Sequence, residues 1–385
     1  MKPAARISNI EEYYFSKKLA EVKTLQKEGN SILNIGIGNP DIPAHPDVLK
    51  ELVHAAYQNG SNYYQSYRGL DKLRNAMSLW YKKIYQVSLN SNTEILPLMG
   101  SKEAISHIHM AFCNPKDRVL IPNPGYPAYA ASAKLLNLDT QLYNLKEKNN
   151  WMPDFDELES LINKKTKLMW VNYPHMPSGT AATSNTLKKL VAFAKKHHIL
   201  LVNDNPYSLI LNNKAESILS YCDRKDSVLE LNSLSKSHNM AGWRVGMVSG
   251  KASLINHVLT IKSNYDSGMF KPVQEAAVKA LELDEQWYID INIEYTQRRV
   301  ILWKFLDQLS CNYSKNAKGM FVWAHIPKAF KNGESFADFL LYKKGIFATP
   351  GIVFGSNGNM YIRFSLCAPI SVFEESIKRI RKQQK

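Results

Sequence analysis

Short apolar runs, each followed by a loop rich in glycine, proline or asparagine, recur through the middle of the chain. Residues 199–202 form one such run, Ile-Leu-Leu-Val, without a polar interruption. A run of this kind is typical of a parallel strand that is buried on both faces. Between the runs lie segments whose apolar residues follow the helical period. The alternation predicts an α/β fold in which helices cover both faces of a mostly parallel sheet. Similar runs begin near Ile95, Arg118, Lys167, Ser227 and Arg244.

Helical periodicity also marks longer segments outside this central pattern. One covers residues 8–28, where Ser8 or Asn9 is the predicted N-cap. A second covers residues 46–59, and a third runs from Pro272 to about residue 308. The last hundred residues alternate again, with a helix predicted over residues 335–344, a strand that contains Arg363 and a final helix.

The bulk composition narrows the class of protein. A length of 385 residues exceeds one ordinary domain, and the 45% hydrophobic and 22% charged residues are ordinary globular values. No apolar run approaches the roughly 18 residues that cross a bilayer, and the N-terminus does not resemble a signal peptide, so we expect no membrane partner. The four cysteines lie far apart in sequence, which indicates reduced thiols and a cytoplasmic protein.

The formal net charge of +15 raises the question of a nucleic-acid partner. The basic residues are dispersed, however, and their dense run over residues 378–385 has the spacing of a solvated helix face. We therefore expect no nucleic-acid partner; a basic surface would attract an anionic cofactor and carboxylate substrates. His107 and His109 point to opposite faces of their predicted helix, so we also expect no metal site.

The stretch from Ser233 to Arg244 carries the main candidate chemistry. Ser233, Ser235 and Arg244 supply two hydroxyls and a guanidinium fork, which together suit a phosphate dianion. Lys236 lies between them, and a lysine beside a bound phosphate suggests a Schiff base to a phosphorylated aldehyde. Two alternatives remain: a serine nucleophile in an S-x-x-K string, although no S-D-N or K-T-G triplet accompanies it, or a polar loop without chemistry.

Two further loops follow predicted strands. Gly100, Ser101 and Lys102 form a glycine turn at the start of a predicted helix, where backbone N–H groups bind anions, so they are the predicted phosphate cradle. Tyr126 lies in a proline-rich loop, from which its ring could stack on a pyridine face or pack against the prolines.

Three polar residues lie on or directly after predicted strands. Asp204 ends an apolar strand at the edge where α/β sheets bind ligands. Tyr207 follows three residues later; the alternative for both is an ordinary strand-end loop. Arg363 presents a fork for a carboxylate, or else forms a structural salt bridge.

Taken in this order, the motifs resemble pyridoxal-phosphate-dependent aminotransferases of class I/II and fold type I, over nearly the whole chain. The strings Gly-Trp-Arg-Val-Gly and Ser-Asn-x-Asp-Ser-Gly are similar to those of alanine and LL-diaminopimelate types. The resemblance implies a large cofactor-binding domain over residues 46–275 with a seven-stranded sheet. It also implies an N-terminal arm over residues 1–45 and a smaller α+β domain, built from both chain ends, with residues 276–385 as its C-terminal part.

The resemblance also implies site roles and a partner. The ring of Tyr126 would stack on pyridoxal 5′-phosphate, Asp204 would pair with its protonated pyridine nitrogen, and Tyr207 would donate to its phenolic oxygen. Gly38 and Arg363 would bind the substrate carboxylate. A homodimer with shared active sites is expected, in which Tyr64, or Tyr67 in its place, reaches the cofactor phosphate of the other subunit.

One position departs from the family pattern. In the family, the strand that begins near Lys167 leads to an asparagine that bonds the phenolic oxygen of the cofactor. Met176 takes the place of that asparagine here. A thioether is a poor hydrogen-bonding partner, so Tyr207 would be the main group holding that oxygen. Asn172 and His175 are the two nearby residues that could substitute.

The resemblance implies an aminotransferase that works by a ping-pong mechanism with Lys236 as the proton carrier and glutamate/2-oxoglutarate as one substrate pair. Arg363, together with Asn172 or Gly38, would orient the carboxylate. A C–S lyase of the β-elimination type on the same fold is the alternative. A non-catalytic regulator would need a DNA-binding domain, for which the residues before Ile32 are too few.

Overall fold

The computed structural model describes residues 1–7, 10, 12–223 and 226–381. The predicted N-caps Ser8 and Asn9, and the end of the basic run, lie outside these residues. Within the described ranges, none of the helices combines the length and apolarity that a bilayer crossing requires. The strands are β1 (Leu33–Asn34), β2 (Ile95–Leu98), β3 (Arg118–Asn123), β4 (Asp139–Asn144), β5 (Thr166–Val171), β6 (Leu200–Asp204), β7 (Val228–Ser233), β8 (Gly246–Gly250), β9 (Asn312–Tyr313), β10 (Phe321–His325), β11 (Ile346–Phe347), β12 (Thr349–Pro350) and β13 (Tyr361–Ser365).

Seven of these strands form the large sheet, in the order β2-β8-β7-β6-β5-β3-β4. Strand β8 runs antiparallel to both of its neighbours, and the other adjacent pairs are parallel. The prediction of a mostly parallel, seven-stranded sheet is therefore confirmed. The carboxyl ends of β6 and β7, which carry Asp204 and Ser233, lie on adjacent strands.

Helices pack on both faces of the large sheet. Along β5, Leu168 and Trp170 belong to one hydrophobic cluster while Met169 and Val171 belong to another, so successive side chains are buried on opposite faces. This explains why the strands read as continuous apolar runs. The α-helices are α1 (Tyr14–Lys27), α2 (Pro46–Ala56), α3 (Asp71–Tyr85), α4 (Ser101–Phe112), α5 (Pro127–Leu135), α6 (Phe155–Leu161), α7 (Ser184–Lys196), α8 (Leu234–Ser237), α9 (Ala252–Lys262), α10 (Lys271–Leu281), α11 (Glu285–Gln308), α12 (Gly333–Asp338) and α13 (Ile370–Arg381).

A second, antiparallel sheet has the order β12-β13-β10-β9. Its strand β13 lies between β10 and β12, so Arg363 is flanked by Trp323 and Thr349. Strand β1, near the N-terminus, pairs in parallel with β11, near the C-terminus, with Leu33 opposite Ile346. Segments from both ends of the chain thus meet beside the smaller sheet, while the predicted domain boundaries stay a prediction.

Three helix predictions differ from the structure. The helix predicted over residues 8–28 begins only at Tyr14. The segment from Pro272 to residue 308 divides into α10 and α11, and in the break between them Leu283 is buried and its carbonyl accepts a hydrogen bond from Lys83 Nζ at 3.0 Å. The helix predicted over residues 335–344 begins at Gly333 and continues after Asp338 as a π-helical turn over Phe339–Lys343.

Candidate active site

Lys236 lies in the short helix α8, which follows β7 directly, and its side chain faces a cavity of about 420 Å³. Ser233 caps this helix by accepting a hydrogen bond from the Ser235 N–H at 3.1 Å. The Lys236 Nζ donates to the carbonyl of Gly38. Burial lowers the pKa of Lys236 to about 8, and the guanidinium groups of Arg363 and Arg244 act in the same direction. A large fraction of this amine is therefore neutral near pH 8.

Asp204 lies at the carboxyl end of β6 with one oxygen satisfied and one free. Its Oδ2 accepts a hydrogen bond from Tyr129 Oη at 2.8 Å, whereas Oδ1 is buried and has no partner within the described part of the chain. Burial raises the pKa of Asp204 to about 6, and the buried Glu230 adds to the rise. A buried carboxylate oxygen without a partner costs free energy, and a ligand N–H in the cavity would remove that cost.

The turn before α4 is shaped by contact with Arg244. Gly100 has a φ of 79°, and a Cβ at this position would lie 2.1 Å from Nη2 of Arg244. A glycine is therefore required, since it alone permits both the left-handed conformation and the close approach of the guanidinium. Ser101 and Lys102 open the helix, so their backbone N–H groups are free of intrahelical partners. The turn and Arg244 together form an electropositive cradle.

Met176 and Asn172 form the wall near Tyr207. The Asn172 amide donates to the backbone carbonyl of Asp204 and accepts from the Met176 N–H at 2.7 Å, so it holds the loop. His175 does not substitute for the missing asparagine, because its two ring nitrogens are bonded to Ser178 Oγ at 2.7 Å and to the Pro124 carbonyl at 3.1 Å. Burial raises the pKa of Tyr207 above its usual value.

Arg363 is a buried cation without a carboxylate partner among the described residues. Its Nη2 donates to the Gly36 carbonyl at 3.0 Å, its Nη1 contacts Met176 Sδ at 3.3 Å, and its Nε has no partner in the ranges that the structure describes. Burial lowers the pKa of Arg363 to about 10. The alternative of a structural salt bridge therefore finds no support in the described contacts, and the guanidinium is available to an anionic ligand.

Most of the predicted site residues line this one cavity. Gly100 packs directly against the guanidinium of Arg244. Tyr64 lies on the surface, with 90% of its area exposed. The predicted residues that line the cavity are Gly38, Ser101, Lys102, Tyr126, Asn172, Met176, Asp204, Tyr207, Ser233, Ser235, Lys236, Arg244 and Arg363.

Several lining residues were missed by the sequence analysis. Tyr13, Phe15 and Leu19 come from the start of α1 and its approach, and Tyr13 shares a hydrogen bond with Tyr126. No local motif marks them, since they reach the cavity only through tertiary packing. Tyr129, the partner of Asp204, had a usable signal, because it follows Tyr126 by three residues and so lies about one helical turn away.

The residues present fit pyridoxal phosphate. The cofactor carries a phosphate dianion, a ring nitrogen that can be protonated and an aldehyde carbon. The cradle with Arg244 offers hydrogen-bond donors for the phosphate. Oδ1 of Asp204, which has no partner among the described residues, offers an acceptor for the ring nitrogen. The amine of Lys236 is a nucleophile for the aldehyde carbon. A cavity with these three features can bind the cofactor and stabilise charge next to it.

Comparison with known proteins agrees with this reading. The model of the family described as aminotransferase class I and II matches residues 30–380. The LL-diaminopimelate aminotransferases of Dehalococcoides mccartyi strain 195 and of Aquifex aeolicus are 37% and 36% identical, over 99% and 98% of this chain and 98% and 97% of theirs. The apo structure of BacF from Bacillus subtilis superposes with a TM-score of 0.94 at 31% identity, covering 99% of this chain and 98% of BacF. The chain belongs to the pyridoxal-phosphate-dependent class I and II aminotransferases.

Proposed function

We propose that this chain moves an amino group between an L-amino acid and a 2-oxo acid by a ping-pong mechanism at the cavity that contains Lys236, with glutamate and 2-oxoglutarate as one substrate pair. The observation that carries the proposal is that one cavity is lined by both a reactive amine and an arginine that can bind a carboxylate. Lys236 is an amine with a depressed pKa, and Arg363 is a cation without a carboxylate partner among the described residues. An amino acid offers the α-proton that the first can remove and the carboxylate that the second can hold.

The cofactor would be held at its two ends by different elements. Ser233, Ser235 and Arg244, with the turn from Gly100 to Lys102, would bind the phosphate. Asp204 would bind the ring nitrogen and Tyr207 the phenolic oxygen, beside Asn172 and Met176, with the ring of Tyr126 against the pyridine face. When bound, the cofactor supplies an electron-poor ring that stabilises the charge left by removal of the α-proton.

The chain's own groups then perform binding and proton transfer. Arg363 would bind the α-carboxylate, and the backbone at Gly38 would limit the rotation of the substrate. Lys236 Nζ, once free of the cofactor, would take the α-proton as a neutral amine and deliver it to a neighbouring carbon. A lysine with a pKa near 8 suits this role, because an ordinary lysine would be protonated almost completely at neutral pH. Correct placement of these groups contributes several kcal/mol to the rate.

A homodimer with shared sites belongs to the same proposal. Tyr64 is 90% exposed, and it lies in a segment with two further exposed tyrosines, Tyr63 and Tyr67. Exposed aromatic side chains of this density are characteristic of protein interfaces. In the dimer, Tyr64 would reach the phosphate at the partner's site. Analytical ultracentrifugation tests this assembly, and a monomer that retains full activity would refute shared sites.

The similarity to LL-diaminopimelate aminotransferases makes LL-diaminopimelate a candidate amino donor for this chain. The diaminopimelate skeleton carries an amino and a carboxylate group at each end. One end would occupy Arg363 and Lys236 like any α-amino acid, so the chemistry at the reacting carbon does not distinguish this donor from others. Its second end must be accommodated by the outer part of the cavity.

Absorption spectroscopy of the purified holoprotein tests the proposal. Addition of L-glutamate alone is expected to convert the yellow, lysine-bound cofactor to its amino form, with loss of the near-visible band. Addition of a 2-oxo acid after removal of glutamate is expected to restore that band. A protein that instead releases pyruvate and ammonia from a β-substituted amino acid, with no oxo-acid acceptor, would be a lyase and the proposal would be wrong.

A further inference from the structure

The cavity next to Arg363 is walled by apolar and aromatic side chains. The Arg363 guanidinium carbon lies 4.0 Å from the ring centroid of Phe321, 4.6 Å from that of Phe354 and 5.4 Å from that of Phe15. Leu19, on the same face of α1 as Phe15, is 39% exposed although it lines the cavity. Phe321 and Phe354 are buried, at 6% and 4% exposed, whereas Phe15 and Leu19 are more accessible. A ligand that covers the accessible apolar area of Phe15 and Leu19 would be stabilised.

The charged groups of the lining are strongly unbalanced. Four cations line the cavity, Lys102, Lys236, Arg244 and Arg363, but Asp204 is the single carboxylate in the described lining. One oxygen of Asp204 accepts from Tyr129, and the other is the acceptor assigned above to the cofactor. No carboxylate of the described lining is therefore left for a second ammonium group on a substrate.

We propose that the specific amino-acid substrate of this chain carries a large apolar side chain, with an aromatic ring as the best fit, and that a side chain ending in an ammonium group is disfavoured. This inference rests on the proposed function, because the side chain lies among Phe15, Leu19 and Phe354 when Arg363 holds the α-carboxylate. Phe321 packs directly against Gly38, where a Cβ would lie 2.3 Å from the ring, so its ring forms a fixed wall.

The physical reason lies in the different groups that the two candidate substrates would place against this wall. A phenyl group would cover the accessible parts of Phe15 and Leu19 and gain ring-to-ring contact with the wall. The distal ammonium of LL-diaminopimelate would leave water without a counter-charge, which is unfavourable. Its distal carboxylate has a possible partner in Lys102, whose Nζ lies 4.6 Å from the ring centroid of Tyr13. The same lysine would serve the γ-carboxylate of glutamate, so the inference is compatible with glutamate as the second donor.

The segment that the proposed dimer would bring to the site does not supply the missing carboxylate. Residues 63–68 read Tyr-Tyr-Gln-Ser-Tyr-Arg, with three tyrosines and one cation. Arg68 is held within its own chain, by the Asn92 carbonyl at 3.0 Å and Asn256 Oδ1 at 2.7 Å. The contribution of this segment would therefore be aromatic.

The test compares three amino acids in single-turnover reactions with the holoenzyme. The apparent second-order rate constant for loss of the near-visible band is expected to be at least about tenfold higher for L-phenylalanine than for LL-diaminopimelate. An equal or higher value for LL-diaminopimelate would overturn the inference. L-Glutamate separates the two proposals: if it reacts but L-phenylalanine does not, the substrate class is wrong and the aminotransfer mechanism stands, whereas failure of glutamate counts against the proposed function itself.

A binding measurement avoids dependence on turnover. The compound 3-phenylpropionate carries the carboxylate and ring of phenylalanine but no amino group, so it cannot react. Isothermal titration calorimetry with the holoenzyme is expected to give a Kd at least about tenfold lower for 3-phenylpropionate than for propionate, in proportion to the apolar area covered. Equal affinities would contradict an aromatic subsite.

A carboxylate introduced at the apolar wall should shift the preference. Leu19→Glu is expected to raise the ratio of the LL-diaminopimelate rate to the L-phenylalanine rate about fivefold, as a partly exposed ion pair would. Leu142→Glu is the matched control, because Leu142 is similarly exposed at 42% but lies on the edge strand β4 and does not line the cavity. A ratio that is unchanged in Leu19→Glu, or changed equally in both variants, would contradict the assignment.

Discussion

Two equally buried arginines, Arg298 and Arg363, differ in what surrounds them. Each is 4% exposed. Arg298 binds both oxygens of Asp41, at 2.6 and 3.0 Å, and Glu294 at 2.9 Å. Burial alone would lower the pKa of Arg298, but these carboxylates outweigh it and the pKa is raised. Burial lowers the pKa of Arg363 to about 10. The first arginine is compensated within the fold, and the second is left to be compensated by a ligand.

The lysines show the same contrast. Lys262 is buried and paired with Asp266 at 2.6 Å, next to a turn that this carboxylate also caps through Gly268. Lys236 has the Gly38 carbonyl as its acceptor, and no carboxylate among the described residues. A buried cation without a carboxylate partner is energetically costly, so its presence indicates a site where an anionic ligand binds. The paired cations stabilise the fold, and the unpaired ones surround the cavity.

The largest expected effect follows from removing the unpaired lysine. Lys236→Ala is expected to lower the rate of aminotransfer at least about a thousandfold, because both the covalent anchor and the proton carrier are lost. The free energy of unfolding of the cofactor-free protein should not fall, since no ion pair is broken. Single-turnover kinetics and urea denaturation measure the two quantities. Near-wild-type turnover in this variant would refute the assignment.

Replacing the unpaired arginine should separate binding from stability. Arg363→Met is expected to raise KM for glutamate about a hundredfold, since a buried partner of the α-carboxylate is removed. The free energy of unfolding should change by less than about 1 kcal/mol, because removing an uncompensated buried cation offsets the loss of its hydrogen bond to the Gly36 carbonyl. A large loss of stability with unchanged KM would show that Arg363 is a structural residue.

The paired arginine should behave in the opposite way. Arg298→Met leaves Asp41 and Glu294 without their cation, and a loss of about 2 kcal/mol in the free energy of unfolding is expected, discounted for the partial exposure of both carboxylates. Lys50→Met is the control, because its ion pair with Asp47 is exposed and screened by solvent and should contribute little to stability. Equal losses in both variants would contradict the distinction between buried and exposed pairs.

The pH dependence of cofactor attachment sharpens the comparison for Lys236. Only the neutral amine attacks the aldehyde, and burial lowers its pKa to about 8. The rate of reconstitution of the cofactor-free protein is therefore expected to rise about tenfold per pH unit below pH 8 and to level off above it. Stopped-flow absorbance measures this rate. A rate that continues to rise beyond pH 10 would indicate an ordinary lysine.

The smallest expected effect concerns Met176. In Met176→Asn, an amide replaces the thioether and can donate to the phenolic oxygen of the cofactor, withdrawing charge that would otherwise hold the proton on the lysine-bound nitrogen. The pKa seen in the absorbance of the bound cofactor is expected to fall by about one unit, which corresponds to about 1.4 kcal/mol. Spectrophotometric titration checks this, and an unchanged pKa would place Met176 outside hydrogen-bonding reach of that oxygen.

The sequence was sufficient for the residues that lie next to strand ends and glycine turns. Asp204 and Lys236 follow β6 and β7, and the regular period of apolar residues makes such positions recognisable without coordinates. The wall formed by Phe15 and Phe354 was not predictable, because residues more than three hundred positions apart meet there through packing between the chain ends. The start of α1 was also misjudged, since helical periodicity does not fix where a helix begins.

The lack of a carboxylate at Arg363 could not be foreseen either. Sequence shows that an arginine lies on a strand, but whether an acidic residue approaches it depends on the neighbouring strands and on Met176, which fills one side of the guanidinium. A compensated and an uncompensated arginine look alike in sequence, and they differ only once the contacts are known.

The most direct test of the central claim is chemical trapping of the lysine. Reduction of the holoprotein with borohydride, followed by proteolysis and mass spectrometry, is predicted to find the phosphopyridoxyl group on the peptide that contains Lys236, in place of its free amine. Label on Lys102, on Lys262 or on no lysine would contradict the account, because the unpaired amine would then not be the one that binds the cofactor.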